Sequence, residues 1–494
     1  MILLLLGALV LATASVVRAE SPTLTKDEMA MQLAAIKRNA RSKDPIVRTT
    51  AARDLVLLTG EDAGELALDL LADDSAPVRF AAIHSLSQWQ DESSLEWLCD
   101  KGLRKGSPAA QASLLRALGL GNAPDFVRDA VTAKLRSNRE EVQAAAIEAL
   151  GTLGARDQME TIAGLAGDSA MEIREAVAVA LGDIGSSANM DIARQLIADE
   201  EWEVRAAMIS SAARLEIKPM VSLLVSRLAV EPERRLRADL HDGLVQLTGQ
   251  DFGRDPDLWI SWWNANKDEF GQTEKIEIRV EKSDYGETTE YYGIRLDTSR
   301  VLFVIDVSES MNKGGGHIEV VQPDGQTRAI DKPDNMSIAR AELERVVSTL
   351  DDTVRFNIMT YAENTELYKP GCVWATAGNK SAAIKWVRKL KPHGLSTTDT
   401  YLALMTALGA AGKSIAAAAR SRPVYDSVFF LADGQPTTGI TTDPEEILRD
   451  VRQANPDARI VIHTILIPTE GEIAGQFMSS LAAENGGDSV TLGR

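Results

Sequence analysis

A period of 31 or 32 residues governs the amino-terminal half of this chain. Val47-Arg48, Val78-Arg79, Ala110-Gln111, Val142-Gln143, Ile173-Arg174, Val204-Arg205 and Leu236-Arg237 recur at spacings of 31, 32, 32, 31, 31 and 32 residues. Eight residues after the first member of each pair stands Leu55, Leu86, Leu118, Leu150, Leu181, Ala212 or Leu244. A fixed period held over seven units restricts the fold to stacked units that bury their apolar faces only against their neighbours. Inside a unit the pattern is helical. Val142, Ala145, Ala146, Ala149 and Leu150 form one stripe, the i, i+3, i+4, i+7, i+8 signature of an amphipathic helix. Asp44-Pro45, Asp74-Ser75-Ala76-Pro77 and Ser107-Pro108 are start signals, and Gly60, Gly119, Gly151, Gly182 and Gly249 are expected to close helices. The repeated Arg or Gln is expected to cap or bridge neighbouring units and not to read a ligand.

These units resemble HEAT repeats, specifically the short kind found in phycobilisome-lyase-type arrays. They lack the Trp–Tyr–Pro pattern of tetratricopeptide units and the Thr-Pro-Leu-His of ankyrin units. The resemblance implies an all-α solenoid, assigned to residues 22–270, that serves as a docking scaffold. After the last unit, Asp255-Pro256 should open a helix containing Trp259, Trp262 and Trp263. Three tryptophans there are expected to seal the open end of the array. Residues 271–298 read as a structured linker, with a short strand at Ile276, Ile278 and Val280.

The carboxyl-terminal half, residues 299–494, follows a different rule. Val301-Leu302-Phe303-Val304-Ile305 is apolar without alternation, which suits a strand buried on both faces of a parallel sheet. Further strands are expected at 356–361, 427–432, 459–467 and 489–492. Helices are expected at 336–350, 381–390, 401–411, 444–454 and 473–485. Alternating strands and helices imply a doubly wound α/β layer structure. An insertion from Asn312 to Asn335, with Pro323-Asp324-Gly325 between apolar runs, reads as a surface hairpin.

Asp306, Ser308 and Ser310 follow the first strand at i, i+2, i+4. Ligands in such sheets bind beyond the carboxyl ends of the strands. Two later segments reach the same edge: His393-Gly394-Leu395-Ser396-Thr397-Thr398-Asp399 before a helix, and Asp433-Gly434 ending Phe429-Phe430-Leu431-Ala432. An all-oxygen set of acids and hydroxyls suits magnesium or manganese better than zinc or copper.

With those three segments in order, the half resembles a von Willebrand factor type A domain with a metal-ion-dependent adhesion site. Asp306-x-Ser308-x-Ser310 matches the first motif and Asp433-Gly434 the third. The second motif departs from the usual Gly-Gly-Thr, so its threonine falls on Thr398 or on Thr397. Glu309 stands where a small residue is frequent. The resemblance implies that Ser308, Ser310 and the threonine touch Mg2+, with Mn2+ or Ca2+ as alternatives. It also implies that Asp306 and Asp433 act largely through bound water. A carboxylate of a partner protein would complete the octahedral shell.

Charge and composition remove several function classes. A formal net charge of −19 argues against a nucleic-acid partner, which needs a basic face. Two cysteines, Cys99 and Cys372, allow no disulfide framework, and five scattered histidines form no zinc motif. Gly409-Ala410-Ala411-Gly412-Lys413-Ser414 lacks the first glycine of a phosphate loop, Ala407 standing in its place. Residues 1–19 read as a signal peptide with an apolar run from Ile2 to Val10 and cleavage after Ala19. Retention of that segment as an anchor is the alternative.

The expectation is therefore an exported, non-enzymatic adhesion protein of the periplasm, cell envelope or extracellular space. It would not insert in a membrane once its signal is cleaved. Its two-part design resembles exported bacterial proteins. An envelope assembly scaffold with a structural metal is the alternative, and a metal-dependent hydrolase the remote one.

Overall fold

The computed structural model describes residues 26–492, apart from 122, 216, 271–274, 277–288, 315–316, 322–326, 332–333, 394–396, 410–423, 457–458 and 468–471. The signal-peptide assignment and Ile278 and Val280 of the expected linker strand lie outside the described residues.

The arginine-bearing segments are helices stacked in one layer: α1 (Pro45–Asp54), α2 (Ala76–Ser87), α3 (Pro108–Leu120), α4 (Glu140–Thr152), α5 (Met171–Ile184), α6 (Trp202–Leu215) and α7 (Arg234–Thr248). Shorter helices between them form the second layer, and one continuous apolar core runs from Ile36 to Ile276.

The repeated basic residue bridges units, as expected. Arg174 donates to the carbonyls of Asp168 and Ser169 on one side and forms a bidentate pair with Asp199 at 2.7 and 2.9 Å on the other. Asp199 stands six residues before Arg205, which repeats the pattern with the carbonyls of Asp199 and Glu200 and the carboxylate of Glu231. Arg48 does the same with Asp73. The acid also accepts from the backbone N–H two residues on, at Ser75, Glu201 and Glu233, fixing the turn that starts the next helix. In the middle units Gln111 and Gln143 each donate to one carbonyl, and Gln111 also accepts from the Lys134 ammonium at 3.3 Å. Arginine–carboxylate pairs therefore stitch the array toward its two ends, and glutamine amides take the arginine's place at its centre.

Four glycine assignments need correction. Gly119, Gly151 and Gly182 lie inside α3, α4 and α5. They admit the next helix of the layer: a Cβ on Gly119 would stand 2.8 Å from the Ala149 Cα, and one on Gly182 2.6 Å from the Ser211 hydroxyl. Gly60 starts a helix at φ +89° rather than ending one. Gly249, left-handed at φ +69°, does close α7.

Helix α8 (Pro256–Asn266) is capped by Asp255, and Trp259 and Trp263 are fully buried. Trp262 stacks edge-on against Trp259 and Phe270, so the aromatic cluster seals the array.

The second half is a seven-stranded sheet. Its strands are β1 (Arg300–Asp306), β2 (Arg355–Tyr361), β3 (Thr365–Leu367), β4 (Val373–Trp374), β5 (Ser427–Ala432), β6 (Val461–Leu466) and β7 (Ser489–Thr491). Their order is β7-β6-β5-β1-β2-β3, with β4 also on β2. Strands β7 to β2 are parallel, while β3 and β4 run antiparallel. Those two short edge strands escaped the sequence reading because Thr365-Glu366-Leu367 and Val373-Trp374 lack a buried face.

Side chains of β1 alternate between two cores. Val301, Phe303 and Ile305 pack under α9 (Asn335–Thr349) and α10 (Ala377–Val387). Leu302 and Val304 pack under α11 (Thr400–Ala407), α12 (Pro444–Ala454) and α13 (Glu472–Glu484). The insertion contains an antiparallel pair, His317–Val321 with Thr327–Asp331. Cys99 and Cys372 are free thiols, both pushed up to about 12 by burial.

The two halves share a charged joint. Arg53 pairs with Glu446 at 2.6 Å, Glu175 with Arg459, Arg254 with Asp297, and Arg234 with Asp351 at 3.4 Å. The Arg300 guanidinium lies 4.5 Å over the Trp202 ring, and Ala76 of α2 enters the core under α12. Arg300, Asp351 and Arg459 all belong to the amino-terminal edge of the sheet, opposite the edge where β1 ends in Asp306.

Candidate metal centre

Strand order reverses around β1: the chain leaves it for β2 on one side and later returns to β5 on the other. The crevice at such a reversal is where doubly wound sheets bind ligands. Asp306 ends β1 and Asp433 follows β5, so the two carboxylates face one crevice.

A single hydrogen-bonded chain links them. The Ser308 N–H donates to Asp306 Oδ1 at 2.7 Å, and the Ser308 and Ser310 hydroxyls are 2.8 Å apart. Ser310 Oγ donates to Asp433 Oδ1 at 2.8 Å. The Ser310 proton is thereby committed, so Ser308 is the donor between the two serines. Ser308 is fully buried and Asp306 is 1 % exposed. A short 3₁₀ turn, Glu309–Asn312, holds Ser310 in place, with the Lys313 N–H donating to its carbonyl at 2.9 Å. Glu309 points to solvent at the rim.

Burial, with repulsion from Asp433 second, raises the Asp306 carboxyl to about 7, and burial raises Asp433 as well. The second oxygen of Asp306 is buried with no hydrogen-bond partner. Two buried carboxylates, an orphaned oxygen and two neutral hydroxyls fit a hard divalent cation, which would relieve the repulsion and use the free lone pairs. Among the described residues no cluster of three or more His, Cys, Asp or Glu side chains that could hold a metal occurs, at this crevice or elsewhere.

The threonine segment reaches the same edge through its backbone. Thr398 is buried; its N–H donates to Thr437 Oγ1 at 2.7 Å, and its carbonyl accepts from the Thr437 N–H at 3.1 Å. The next N–H, of Asp399, donates to the Ala362 carbonyl at 2.7 Å, just beyond β2. Asp399 then caps α11 through the Leu402 N–H. Thr397 instead directs its hydroxyl to Glu363 at 2.8 Å, a contact on the exposed side. Gly394, Leu395 and Ser396 lie outside the described residues. His393 is exposed, and its N–H donates to the Val307 carbonyl.

Two contributors escaped the sequence reading. The Asn335 side chain hydrogen-bonds Asp433, and Thr437 clasps Thr398. Asp334-Asn335 ahead of a periodic helix was the available signal for the first. Nothing in the spacing marks Thr437 within Gln435-Pro436-Thr437-Thr438.

The family model described as HEAT repeats matches residues 33–119 and 128–213, and that of the von Willebrand factor type A domain matches residues 301–491. The human inter-alpha-trypsin inhibitor heavy chain H6 is 29% identical over 157 residues, which is 31% of this chain and 10% of that protein. The chain thus spans about a tenth of the length of that curated relative. Among solved structures, a von Willebrand factor type A protein from Catenulispora acidiphila is 16% identical with a TM-score of 0.29, covering 40% of this chain and 39% of that one. The CpcE–CpcF complex of phycocyanin lyase from Nostoc sp. PCC7120 is 15% identical with a TM-score of 0.28, covering 50% of this chain and 97% of that one. The chain joins an array of HEAT repeats to a von Willebrand factor type A domain.

Proposed function

We propose that this protein is a cation-dependent protein-binding or adhesion protein without enzymatic activity. The observation that carries the reading is the pair of buried carboxylates, Asp306 and Asp433, joined through Ser308 and Ser310, with the second Asp306 oxygen buried and without a hydrogen-bond partner. Ser308, Ser310 and Thr398 would hold Mg2+ directly, and Asp306 and Asp433 would support it through water. When bound, the cation supplies an open position for a carboxylate of the partner. Neutral hydroxyls leave it the charge to attract one. Asp306 orients Ser308 through the backbone, Asp433 orients Ser310, and Asn335 steadies Asp433. Export to the periplasm or cell surface belongs to the same proposal. Among the described residues no helix is long and apolar enough to cross a membrane.

Calorimetric titration of the full chain with magnesium chloride tests the site. Wild type should bind one ion, and Asp306→Asn should weaken binding at least tenfold. Equal binding by both would refute the assignment. Pull-downs from cell-envelope extract with magnesium and with chelator then test the role. Partners that persist unchanged in chelator would favour an assembly scaffold, a reading to which the charged joint between the halves lends some weight.

A further inference from the structure

A cavity of about 400 Å³ lies between the arginine-bearing helix layer and the α/β half, away from the proposed cation site. Its array side is built from α2 to α5, with Ala112, Ala144 and Ala176 as a narrow small-residue floor. Leu408, Gln453 and Arg459 close it from the other half.

Its chemistry is lopsided. Glu140, Glu141, Glu148, Glu172, Glu175 and Asp183 line it, against Arg79, Arg116 and Arg459. The three arginines are already committed. Arg79 donates to the carbonyls of Asp73 and Asp74, Arg116 to Glu148 at 2.8 Å, and Arg459 to Glu175. Acceptors, in contrast, are left over. Glu175 is 3 % exposed, and its Oε2 has no hydrogen-bond partner; the Gln453 Oε1 is also buried without one. Among the described residues neither Glu140 nor Glu172, at the mouth, is engaged in an ion pair. Burial raises the Glu175 carboxyl to about 7 despite Arg459 beside it.

We propose that this cavity is a second binding site, taking a lysine- or arginine-bearing segment of a partner protein between the repeat array and the α/β half. A cationic side chain brings the donors that Glu175 and Gln453 lack, and its methylene stem fits the alanine floor. The acids at the mouth favour approach of a basic segment over an acidic one. The volume falls within the range of small-ligand pockets, so one or two side chains enter and the rest of the segment lies outside. This site selects for charge opposite to that sought at Asp306, so the two surfaces would engage different parts of a partner.

The test uses the full chain and a fluorescein-labelled peptide, Ala-Ala-Lys-Ala-Ala-Arg-Ala, with its glutamate-substituted counterpart as control, read by anisotropy at physiological salt. The basic peptide should bind saturably, one per chain, and the acidic one should not. Glu140→Lys with Glu172→Lys should weaken binding at least tenfold. The same charge change at exposed Glu92 and Glu96, outside the cavity, should alter it less than twofold. Glu175→Gln, checked for an unchanged circular dichroism spectrum, should weaken binding about tenfold. Absence of saturable binding would overturn the proposal, as would equal losses from the two charge-reversal pairs. Binding that appears only after deletion of residues 410–423 would also overturn it, by making the chain its own occupant.

Discussion

The stitching between repeat units makes a quantitative contrast that one pair of variants can test. Arg174 and Asp199 are each about nine-tenths buried and joined by two charge-assisted bonds, at 2.7 and 2.9 Å. Replacing Arg174 by Met keeps most of the side-chain volume. It leaves Asp199 without its counter-charge and the carbonyls of Asp168 and Ser169 without a donor. Breaking such a pair from one side costs about 3–5 kcal/mol; the lower figure applies here, because Asp199 still accepts from the Glu201 N–H. Arg79 is as deeply buried, yet it donates to the Asp73 and Asp74 carbonyls, and burial pulls its guanidinium down to about 10. Arg79→Gln converts that unit to the arrangement that Gln111 and Gln143 already use, at a cost of about 1 kcal/mol or less. With a urea dependence of about 3 kcal/mol per molar, Arg174→Met should lower the midpoint of helix loss by roughly 1 M. Arg79→Gln should lower it by about 0.3 M or less on the same slope. Far-ultraviolet circular dichroism during urea titration measures both. Equal shifts, or a larger one for Arg79→Gln, would refute the idea that the acid in the next unit supplies the strength of the stitch.

The joint between the halves should respond to pH through Glu175. Its carboxyl is raised from 4.5 to about 7, so the folded chain keeps a proton that the unfolded chain releases. That stabilisation is present below about 4.5 and lost as pH rises through about 7, up to about 3 kcal/mol. Denaturant titrations at pH 5 and 8 should therefore diverge less in Glu175→Gln than in wild type, and identical divergence would count against it. Gly439 sits at φ +118°, where a Cβ would lie 2.4 Å from the Asp399 carboxylate. Gly439→Ala should cost about 1–3 kcal/mol and, by shifting the Thr398 segment, weaken magnesium binding in calorimetry; unchanged affinity would detach Thr398 from the site. Gly119→Val should force α3 and α4 apart, lowering stability by about 1–3 kcal/mol, whereas a loss confined to helix propensity would show as about 1 kcal/mol or less.

Much of the architecture was legible because it rests on periodicity and burial. The recurrence of Val142-Gln143 and its equivalents encodes both the repeat and the bridging residue. Val301–Ile305 reads as a two-sided strand because both of its faces are covered. The helix 444–454 and the strand 427–432 are found where Asp443-Pro444 and Asp426-Ser427 mark them. The glycines misled, because a helix interior that admits a neighbouring backbone and a helix end that needs a left-handed residue both select Gly. At the site, Asp306, Ser308, Ser310 and Asp433 fall where their strands deliver them. Thr397 and Thr398 differ in tertiary contacts that no local pattern marks: the first turns its hydroxyl toward Glu363, and the second is clasped by Thr437. The joint was illegible for the same reason. Glu175 and Arg459 are 284 residues apart, and nothing local marks either as a partner.

Strand β1 ties the joint to the proposed cation site in a single extended segment. Arg300 at its start rests on Trp202, and Asp306 at its end faces the crevice, roughly 20 Å away at 3.3 Å per residue. A pull on a ligand held at Asp306 would therefore run lengthwise down β1, loading the parallel ladders with β2 and β5 in shear, their strongest direction. The load would leave the sheet through arginine contacts to the array. Those contacts are screened by salt and the ladders are not. Under tension the protein would part first at the joint, with the helical array acting as the compliant element behind a stiff grip.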